Sequence, residues 1–258
     1  MKSIFEPLFQ WRVWWYSATL KTKVQLQRTK LGSIWLGLAN LLVASSLGTV
    51  YGTLFKVSDW HSYFAYLAVG ITTWTFMASV LSSSPRLFTT NKQRLLSTNL
   101  TPAFVCLEDL AFALQTFIPS IITIVIASAL IFKPIIFINT LTLAIFPFFS
   151  IIMMIFAFHA ILSCLGAFFH DLYQIIPIVL QLSFLTSPIL YAKEALGDKI
   201  WIAKINPLYV CLEVFRTTIL EGDLQVKANL MIFGISSAAA IFGLWILKKA
   251  RHRIILFT

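Results

Sequence analysis

Charged residues are scarce in this 258-residue sequence: they form 12% of the chain, against about 25% in an ordinary soluble domain. Long uncharged stretches account for the shortage. Each reaches the roughly 20 apolar residues that a helix needs to cross a bilayer, and none shows the alternating polarity of outer-membrane strands. The sequence therefore predicts an all-α membrane protein with six transmembrane helices, at about 31–55, 60–85, 103–132, 135–168, 172–192 and 228–247.

Cysteines and ionisable groups within the spans are also few. The carboxylates of Glu108, Asp109 and Asp171 flank the apolar stretches, which disfavours ion coupling through ionisable groups at the bilayer midplane. His159 is the one candidate relay, with a hydrogen-bonded packing residue as the alternative. The three cysteines lie too far apart for metal-ligand spacing or for a disulfide framework: Cys106, Cys164 and Cys211.

Catalytic and nucleotide-binding motifs are missing as well. Gly32 and Gly37 have the glycine spacing of a phosphate-binding loop, but Leu38 stands where a lysine should contact phosphate. We find no acid pair, no nucleophile beside a base and no metal-ligand cluster. The sequence therefore predicts no enzyme activity, no metal site and no bound cofactor, so any energy from ATP must come from another chain.

The net charge of +10 is explained by membrane orientation rather than by nucleic-acid binding. Basic residues concentrate in the first 30 residues, in the loop after the second span and in the C-terminal tail. With six spans these three segments share one side of the membrane, and the positive-inside rule makes that side cytoplasmic. Both termini are therefore predicted to be cytoplasmic, and the protein to be multi-pass.

The stretch 134–169 is long for one helix and barely long enough for two. It has no charged or Gly-rich turn at its centre, only Pro147. We interpret it as a single long fourth span over 135–168 that extends beyond the bilayer, with His159 and Cys164 toward its cytoplasmic end.

The N-terminal segment 1–30 is predicted to be an amphipathic interface helix. Its tryptophans suit the headgroup level of the membrane, so the helix would lie in the cytoplasmic interface, with plain anchoring as the simplest role. The apolar residues that recur at helical spacing are Ile4, Phe5, Leu8, Trp11, Trp15 and Ala18.

Two further segments connect spans. The basic segment 86–101 predicts either a short amphipathic helix that docks on a soluble partner or a loop on the headgroups; its apolar side chains are Leu87, Phe88, Leu95 and Leu96. The segment 193–227 predicts two short helices that re-enter or lie on the outer face.

The second of these outer helices has recognisable end signals. Asn206 suits an N-cap, Pro207 the first helical position and Gly222 the end of the helix. Glu213 and Arg216 lie one turn apart and can pair. Its predicted apolar stripe is Leu208, Leu212, Phe215 and Ile219.

The first span carries small residues at helical spacing, namely Ala44, Gly48 and Gly52. Such residues let two helices approach closely. The resulting seam would lie either between two subunits or within one.

A family resemblance rests on motifs that occur in order along most of the chain. The entry to the first span resembles the R-x-x-L-G-x-x-W pattern of type-2 ABC permeases that export polysaccharide. The end of the fifth span (FLTSPILY, 184–191) and the Asn-Pro-Leu at 206–208 also match. The matching residues are Arg28, Leu31, Gly32, Trp35, Asp171, Pro188, Tyr191, Asn206, Pro207 and Arg216.

The resemblance implies a homodimer in the bacterial cytoplasmic (inner) membrane, in contact with its lipids and paired with two copies of an ABC ATPase. That separate subunit would bind the ATP and magnesium. The substrate would be a lipid-linked polysaccharide such as O-antigen, capsule or teichoic acid, and no nucleic acid is involved.

The resemblance also assigns roles to residues. The N-terminal helix and the segment 86–101 (the coupling helix) would contact the ATPase, through Trp11, Arg12, Trp15, Arg86, Lys92 and Arg94. The hairpin 193–227 would correspond to outer gate helices. Aromatic rings that stack on sugars would line the glycan path, with candidates Trp35, Tyr51, Phe55, Trp74, Phe76, Phe184 and Tyr191.

Two alternatives share features of this sequence. A type-2 ABC permease for a drug or a small lipid would have the same topology, and surface-sugar staining of a deletion strain discriminates it. A membrane-bound enzyme or passive scaffold would show no ATPase partner whose hydrolysis responds to this chain.

Overall fold

A computed structural model describes residues 6–27, 32, 34–57, 59–98, 100–191 and 193–257, without the side chains of 194, 195 and 252–257. Over these residues the chain is helical, with short 3-10 turns at Ser84–Arg86 and Lys193–Lys199. The helices are α1 (Glu6–Phe9), α2 (Trp11–Leu26), α3 (Ile34–Leu54), α4 (Trp60–Ser83), α5 (Leu87–Thr90), α6 (Lys92–Ser97), α7 (Pro102–Ile131), α8 (Ile135–Thr142), α9 (Ile145–Phe168), α10 (Leu172–Thr186), α11 (Ile200–Lys204), α12 (Pro207–Glu221) and α13 (Val226–Phe257).

Five of the described helices are long and apolar enough to cross a membrane: α3, α4, α7, α9 and α13. The predicted fifth span is the shorter apolar helix α10, which has 15 residues and ends at Thr186 instead of 192. The helix stops there because Ser187, which precedes Pro188, has an extended backbone (φ −93°, ψ 141°). A residue before proline is pushed out of the helical region by the proline ring.

The stretch interpreted as a single fourth span is two helices, α8 and α9, which corrects the prediction over 135–168. The amides of Leu143 and Ala144 both donate to the carbonyl of Asn139, at 2.9 and 3.0 Å, so the helical bonding pattern is interrupted there. The side chain of Asn139 donates to the Ile219 carbonyl at 3.2 Å and ties α8 to α12. Pro147 lies in the first turn of α9, where a missing N–H removes no helical bond.

Helix α4 is the centre of the bundle and packs against α3, α7, α9, α10 and α12. In the most apolar stretch of α4, 78% of the residues are buried, compared with 17% in the corresponding stretch of α3. The small residues Gly48 and Gly52 of α3 face Leu67, Trp60 and Tyr63 of the same chain. The seam of small residues on α3 therefore packs within one subunit, while the opposite side of α3 is exposed.

Helix α2 packs against α7, and of the predicted stripe Ile4 and Phe5 lie outside the described residues. Ala18 is fully buried, whereas Trp11 is 55% and Trp15 is 37% exposed. Trp14 turns inward instead and donates its indole N–H to the Pro7 carbonyl at 3.2 Å. The exposed tryptophans leave the predicted interface helix a prediction, and polar contacts to α7, described below, determine the inward face.

The amphipathic pattern of α12 has the predicted orientation. Its four stripe residues are all buried, at 0–7% exposed, and they face the core: Leu208, Leu212, Phe215 and Ile219. The helix begins and ends as predicted, since Asn206 caps it and Gly222 closes it in the left-handed region (φ 73°).

Candidate functional site

Arg216 lies at the centre of a polar cluster near the start of α4, although it is only 1% exposed. Its Nη2 donates to the Pro188 carbonyl at 3.2 Å and pairs with the Glu213 carboxylate, which confirms the predicted pair. The guanidinium stacks 3.6 Å from the ring centre of Tyr66. Glu213 also pairs with Lys193 at 3.4 Å. One buried cation therefore joins α12, α4 and the segment that follows α10.

The backbone of that segment is held by two tyrosines. The hydroxyl of Tyr63 donates to the Leu190 carbonyl at 2.5 Å. The hydroxyl of Tyr66 lies 2.7 Å from the Pro188 carbonyl oxygen and 3.1 Å from that of Tyr191. These carbonyls lie beyond the end of α10, so side-chain donors supply the hydrogen bonds that helix would otherwise make. Burial raises the pKa of the Tyr191 hydroxyl.

Asn206 connects the same segment to α12. Its Nδ2 donates to Ser187 Oγ at 3.1 Å, and its Oδ1 accepts from the Leu208 amide at 3.1 Å. The structure thus brings five predicted motif residues together in what we call the Arg216 cluster: Pro188, Tyr191, Asn206, Pro207 and Arg216.

The other motif residues lie elsewhere. Asp171 is exposed at the start of α10, and its backbone carbonyl accepts from Gln174 and Ile175. Gly32 has a left-handed backbone (φ 55°), and Trp35 in the first turn of α3 is 49% exposed. Arg28 and Leu31 lie outside the described residues.

A second polar cluster surrounds Glu108, near the end of α4. The carboxylate is fully buried in the second turn of α7. It pairs with Lys21 of α2 at 2.8 Å and with Arg94 of α6, whose Nη1 and Nη2 lie 3.2 and 2.9 Å from its two oxygens. Ser17 donates to the same carboxylate at 2.9 Å. We call these four residues the Glu108 cluster.

Sequence reasoning missed this cluster because it placed Glu108 at the flank of a span. The sequence did carry a signal: a carboxylate in an otherwise apolar helix requires a cationic partner, and two basic segments, 1–30 and 86–101, precede Glu108. Arg94, predicted to contact an ATPase, pairs with Glu108 and keeps 39% of its side chain exposed.

The remaining predicted contact residues lie on the surface. Trp11, Arg12, Trp15 and Lys92 are exposed, and Arg86 is exposed with its guanidinium 5.3 Å from the Tyr173 ring centre. In α6, Leu95 is buried at 2% whereas its neighbour Leu96 is 56% exposed.

Next to Glu108, Asp109 faces the opposite way toward His159. The His159 Nε2 lies 3.6 Å from Asp109 Oδ2, and its Nδ1 lies 2.6 Å from Ser84 Oγ. Both Ser84 and His159 are fully buried, so no substrate reaches them. Gly166 allows α9 to touch Pro85, whose carbonyl oxygen a Cβ at this position would meet at 2.2 Å. This second contact fastens the start of the segment 84–97 to the bundle.

The predicted glycan-path aromatics are only partly brought together. Trp74 and Phe184 lie 5.9 Å apart in a cavity of about 510 Å³ between α3, α4 and α10. Phe76 stacks on Phe117 in a neighbouring cavity of about 220 Å³ between α3, α4 and α7. Thr75 and Ser79 of α4 line both cavities.

The other aromatic candidates lie apart from these cavities. Tyr51 and Phe55 stack on each other at 5.8 Å near the end of α3, and Trp35 lies at its beginning. Tyr191 belongs to the Arg216 cluster.

Comparison with known proteins identifies the family of this chain. Residues 14–220 match the profile of the ABC-2 type transporter family. Two proteins of Klebsiella pneumoniae, both named O-antigen export system permease protein RfbA, are 25% and 26% identical to this chain over 239 residues. Each alignment covers 90% of this chain and 89% of the relative. Since the family profile covers most of the sequence, this chain belongs to the ABC-2 type transporter family.

Proposed function

We propose that this chain is the permease subunit of an ATP-binding-cassette exporter that moves a lipid-linked polysaccharide, such as O-antigen, across the cytoplasmic membrane. The observation that carries the proposal is its similarity to O-antigen export permeases over 90% of its length. ATP and magnesium would be bound by a separate ATPase, and ATP hydrolysis there would drive the permease.

The topology follows if α10 is counted as a shorter span. Its 15 residues extend for about 22 Å, somewhat less than the roughly 30 Å hydrocarbon layer. Six spans then place both basic termini on the cytoplasmic side. The Glu108 cluster becomes cytoplasmic, while the Arg216 cluster and the hairpin 193–227 lie at the outer face.

The glycan path is proposed to follow the cavity between α3, α4 and α10. Thr75 and Ser79 are exposed although α4 is otherwise the most buried of the long helices. With Gln181 of α10 they offer hydrogen-bonding groups along the wall, and Trp74 and Phe184 offer rings for sugar faces. Polar side chains in a mostly apolar cavity that is open to one side of the bundle favour a channel completed by another chain.

A second copy of this chain is the proposed completion. The exposed side of α3 is apolar, and only 17% of the residues in its most apolar stretch are buried in one subunit. Pairing α3 and α10 across a two-fold axis would enclose the cavities, as expected of a homodimer with isologous contacts.

The ATPase contact is proposed to use the surface of α2, α5 and α6. Its members are Trp11, Arg12, Trp15, Arg86, Lys92, Leu96 and Arg94, whose side chain also pairs with Glu108 and is 39% exposed. Exposed cations around an exposed leucine suit a partner surface with an apolar pocket and acidic rim.

The proposal is tested by deleting the gene and staining the cells for surface polysaccharide. We expect the glycan to disappear from the surface and to accumulate inside, and the wild-type gene to restore it. Unchanged surface glycan with raised drug sensitivity would instead favour export of a drug or small lipid.

A matched pair of variants tests whether the glycan path follows this cavity. Ser79→Leu should block export because it fills the polar wall, whereas Ile178→Leu on an exposed apolar position of α10 should not. Equal export by both variants would remove the cavity from the path.

A further inference from the structure

We propose that Glu108 is a positioning residue that joins α2 and α6 into a single unit, so that both elements facing the ATPase move together. This inference rests on the proposed function and deepens it. It concerns how movement of the ATPase is transmitted to the permease. It gives Glu108, Lys21 and Arg94 a role that is separate from direct contact with the ATPase.

Glu108 lies between a cation of α2 and a cation of α6. Lys21 Nζ and Arg94 Nη1 both lie within 3.2 Å of the same oxygen, Oε1. One cation comes from α2 and the other from α6, which are separated by two spans in the sequence. The carboxylate on α7 is therefore the point at which the two helices are linked by charge.

The burial pattern shows why the link depends on the charge. Glu108 is fully buried, whereas the Lys21 and Arg94 side chains are 37% and 39% exposed. A buried carboxylate has lost its hydration and depends on these cations. Without the negative charge, two neighbouring cations repel each other and can turn toward water, so α2 and α6 lose their common anchor.

Other contacts keep each helix attached without Glu108. Gln115 of α7 accepts from Thr22 Oγ1 at 3.0 Å and donates to Thr19 Oγ1 at 3.0 Å, which holds α2. Leu95 holds α6 in the core. Removing the charge should therefore leave both helices docked and weaken only their coupling.

The segment 84–97 is also attached at its other end. His159 of α9 bonds to Ser84 at the start of the segment 84–97, and Glu108 pairs with Arg94 near its end. Both ends of the segment are therefore attached to the bundle, by two different side chains. Only the Glu108 end also reaches α2.

The test uses the complex of the permease with its ATPase, reconstituted in vesicles with lipid-linked glycan extracted from the host. Glu108→Gln should assemble and hydrolyse ATP at the wild-type rate but export about tenfold less glycan per ATP, a change within the range known for coupling mutations. Glu108→Asp, which keeps the charge, should recover a large part of the export.

The cation variants provide the matched control. Lys21→Ala and Arg94→Ala should each reduce export per ATP, and the double variant should add little because both act through one carboxylate. Lys23→Ala removes an exposed cation two residues from Lys21 and should leave the ratio unchanged.

Spin labels give a direct readout of joint motion. The native cysteines that could interfere are buried, so labels can be placed at the exposed positions of Lys23→Cys and Gln93→Cys in one protomer. Their distance should stay constant on ATP binding in the wild-type background and spread in Glu108→Gln.

The outcomes separate the two ideas. An unchanged ratio and distance in Glu108→Gln would overturn the positioning role. A parallel loss of assembly, hydrolysis and export in Glu108→Gln and Glu108→Asp would also overturn it, by making Glu108 purely structural. A wild-type complex that exports no glycan would instead refute the proposed function.

Discussion

A buried charged side chain from another helix lies near each end of α4, and the two differ in whether their partners are enclosed. At one end Arg216 is enclosed and bonds to Glu213 and to the backbone after α10. At the other end Glu108 is enclosed, but its cationic partners reach the surface. Tyr66 and Ser84 mark these ends and lie about 27 Å apart along the helix. The Arg216 cluster is therefore enclosed in the core, whereas the Glu108 cluster links two helices whose cations reach the surface.

The largest expected effect is at the enclosed end. Arg216→Ala removes a buried cation that pairs with Glu213 and stacks on Tyr66, and it leaves a cavity where the side chain lay, so it should cost about 3–5 kcal/mol in free energy of unfolding. Glu108→Gln should cost less, about 1–2 kcal/mol, because Lys21 and Arg94 can be hydrated. Chemical denaturation in detergent measures both, and a larger cost for Glu108→Gln would reverse the comparison.

The next effect distinguishes a residue of α6 that stabilises the fold from one that contacts the ATPase. Leu95→Ala leaves a cavity in the core and should cost about 2–5 kcal/mol, with assembly reduced only through stability. Leu96→Ala should change stability by less than about 0.5 kcal/mol but weaken co-purification with the ATPase. If Leu96→Ala binds the ATPase normally, this surface of α6 is not the contact.

A smaller effect tests how the segment 84–97 is fastened. Gly166→Ala forces a Cβ into the backbone of Pro85, so it should destabilise the protein by about 1–3 kcal/mol. Gly234→Ala is the control, because a Cβ there meets no atom within 4 Å. Thermal unfolding of the two variants should differ in this direction, and equal melting temperatures would show that α9 does not press on this segment.

The smallest effect sharpens the account of the Arg216 cluster. Tyr63→Phe removes the hydroxyl that donates to the Leu190 carbonyl and should cost about 1 kcal/mol. Tyr51→Phe removes a hydroxyl from a half-buried tyrosine of α3 and should be nearly neutral. Equal unfolding midpoints for these two variants would indicate that the segment after α10 is held without Tyr63.

The positions of most helices could be predicted from the sequence because apolar runs and end signals are local. Asn206, Pro207 and Gly222 defined α12 through capping chemistry that needs no tertiary context. The break between α8 and α9 was missed because no proline or glycine lies at Leu143 and Ala144. It depends on contacts such as that of Asn139 with α12.

The orientation of individual side chains was less predictable. The N-terminal stripe and the role of Arg94 were assigned from helical spacing and from family resemblance. Neither indicates that Arg94 points to the buried carboxylate of Glu108, which lies 14 residues further along the chain. Long-range ion pairs of this kind are invisible to periodicity. The Arg216 cluster was more accessible, since its members formed motifs before the structure connected them.

The central claim is tested most directly by ATP-dependent glycan transport in vesicles that contain the permease and its ATPase. Glycan carried on its native lipid is supplied on the side where the ATPase binds, and its arrival on the other side is detected with a sugar-binding probe. We expect transport with ATP and none with a non-hydrolysable analogue or with the ATPase alone. Glycan that stays on the supply side while the permease-bound ATPase hydrolyses ATP would contradict the account.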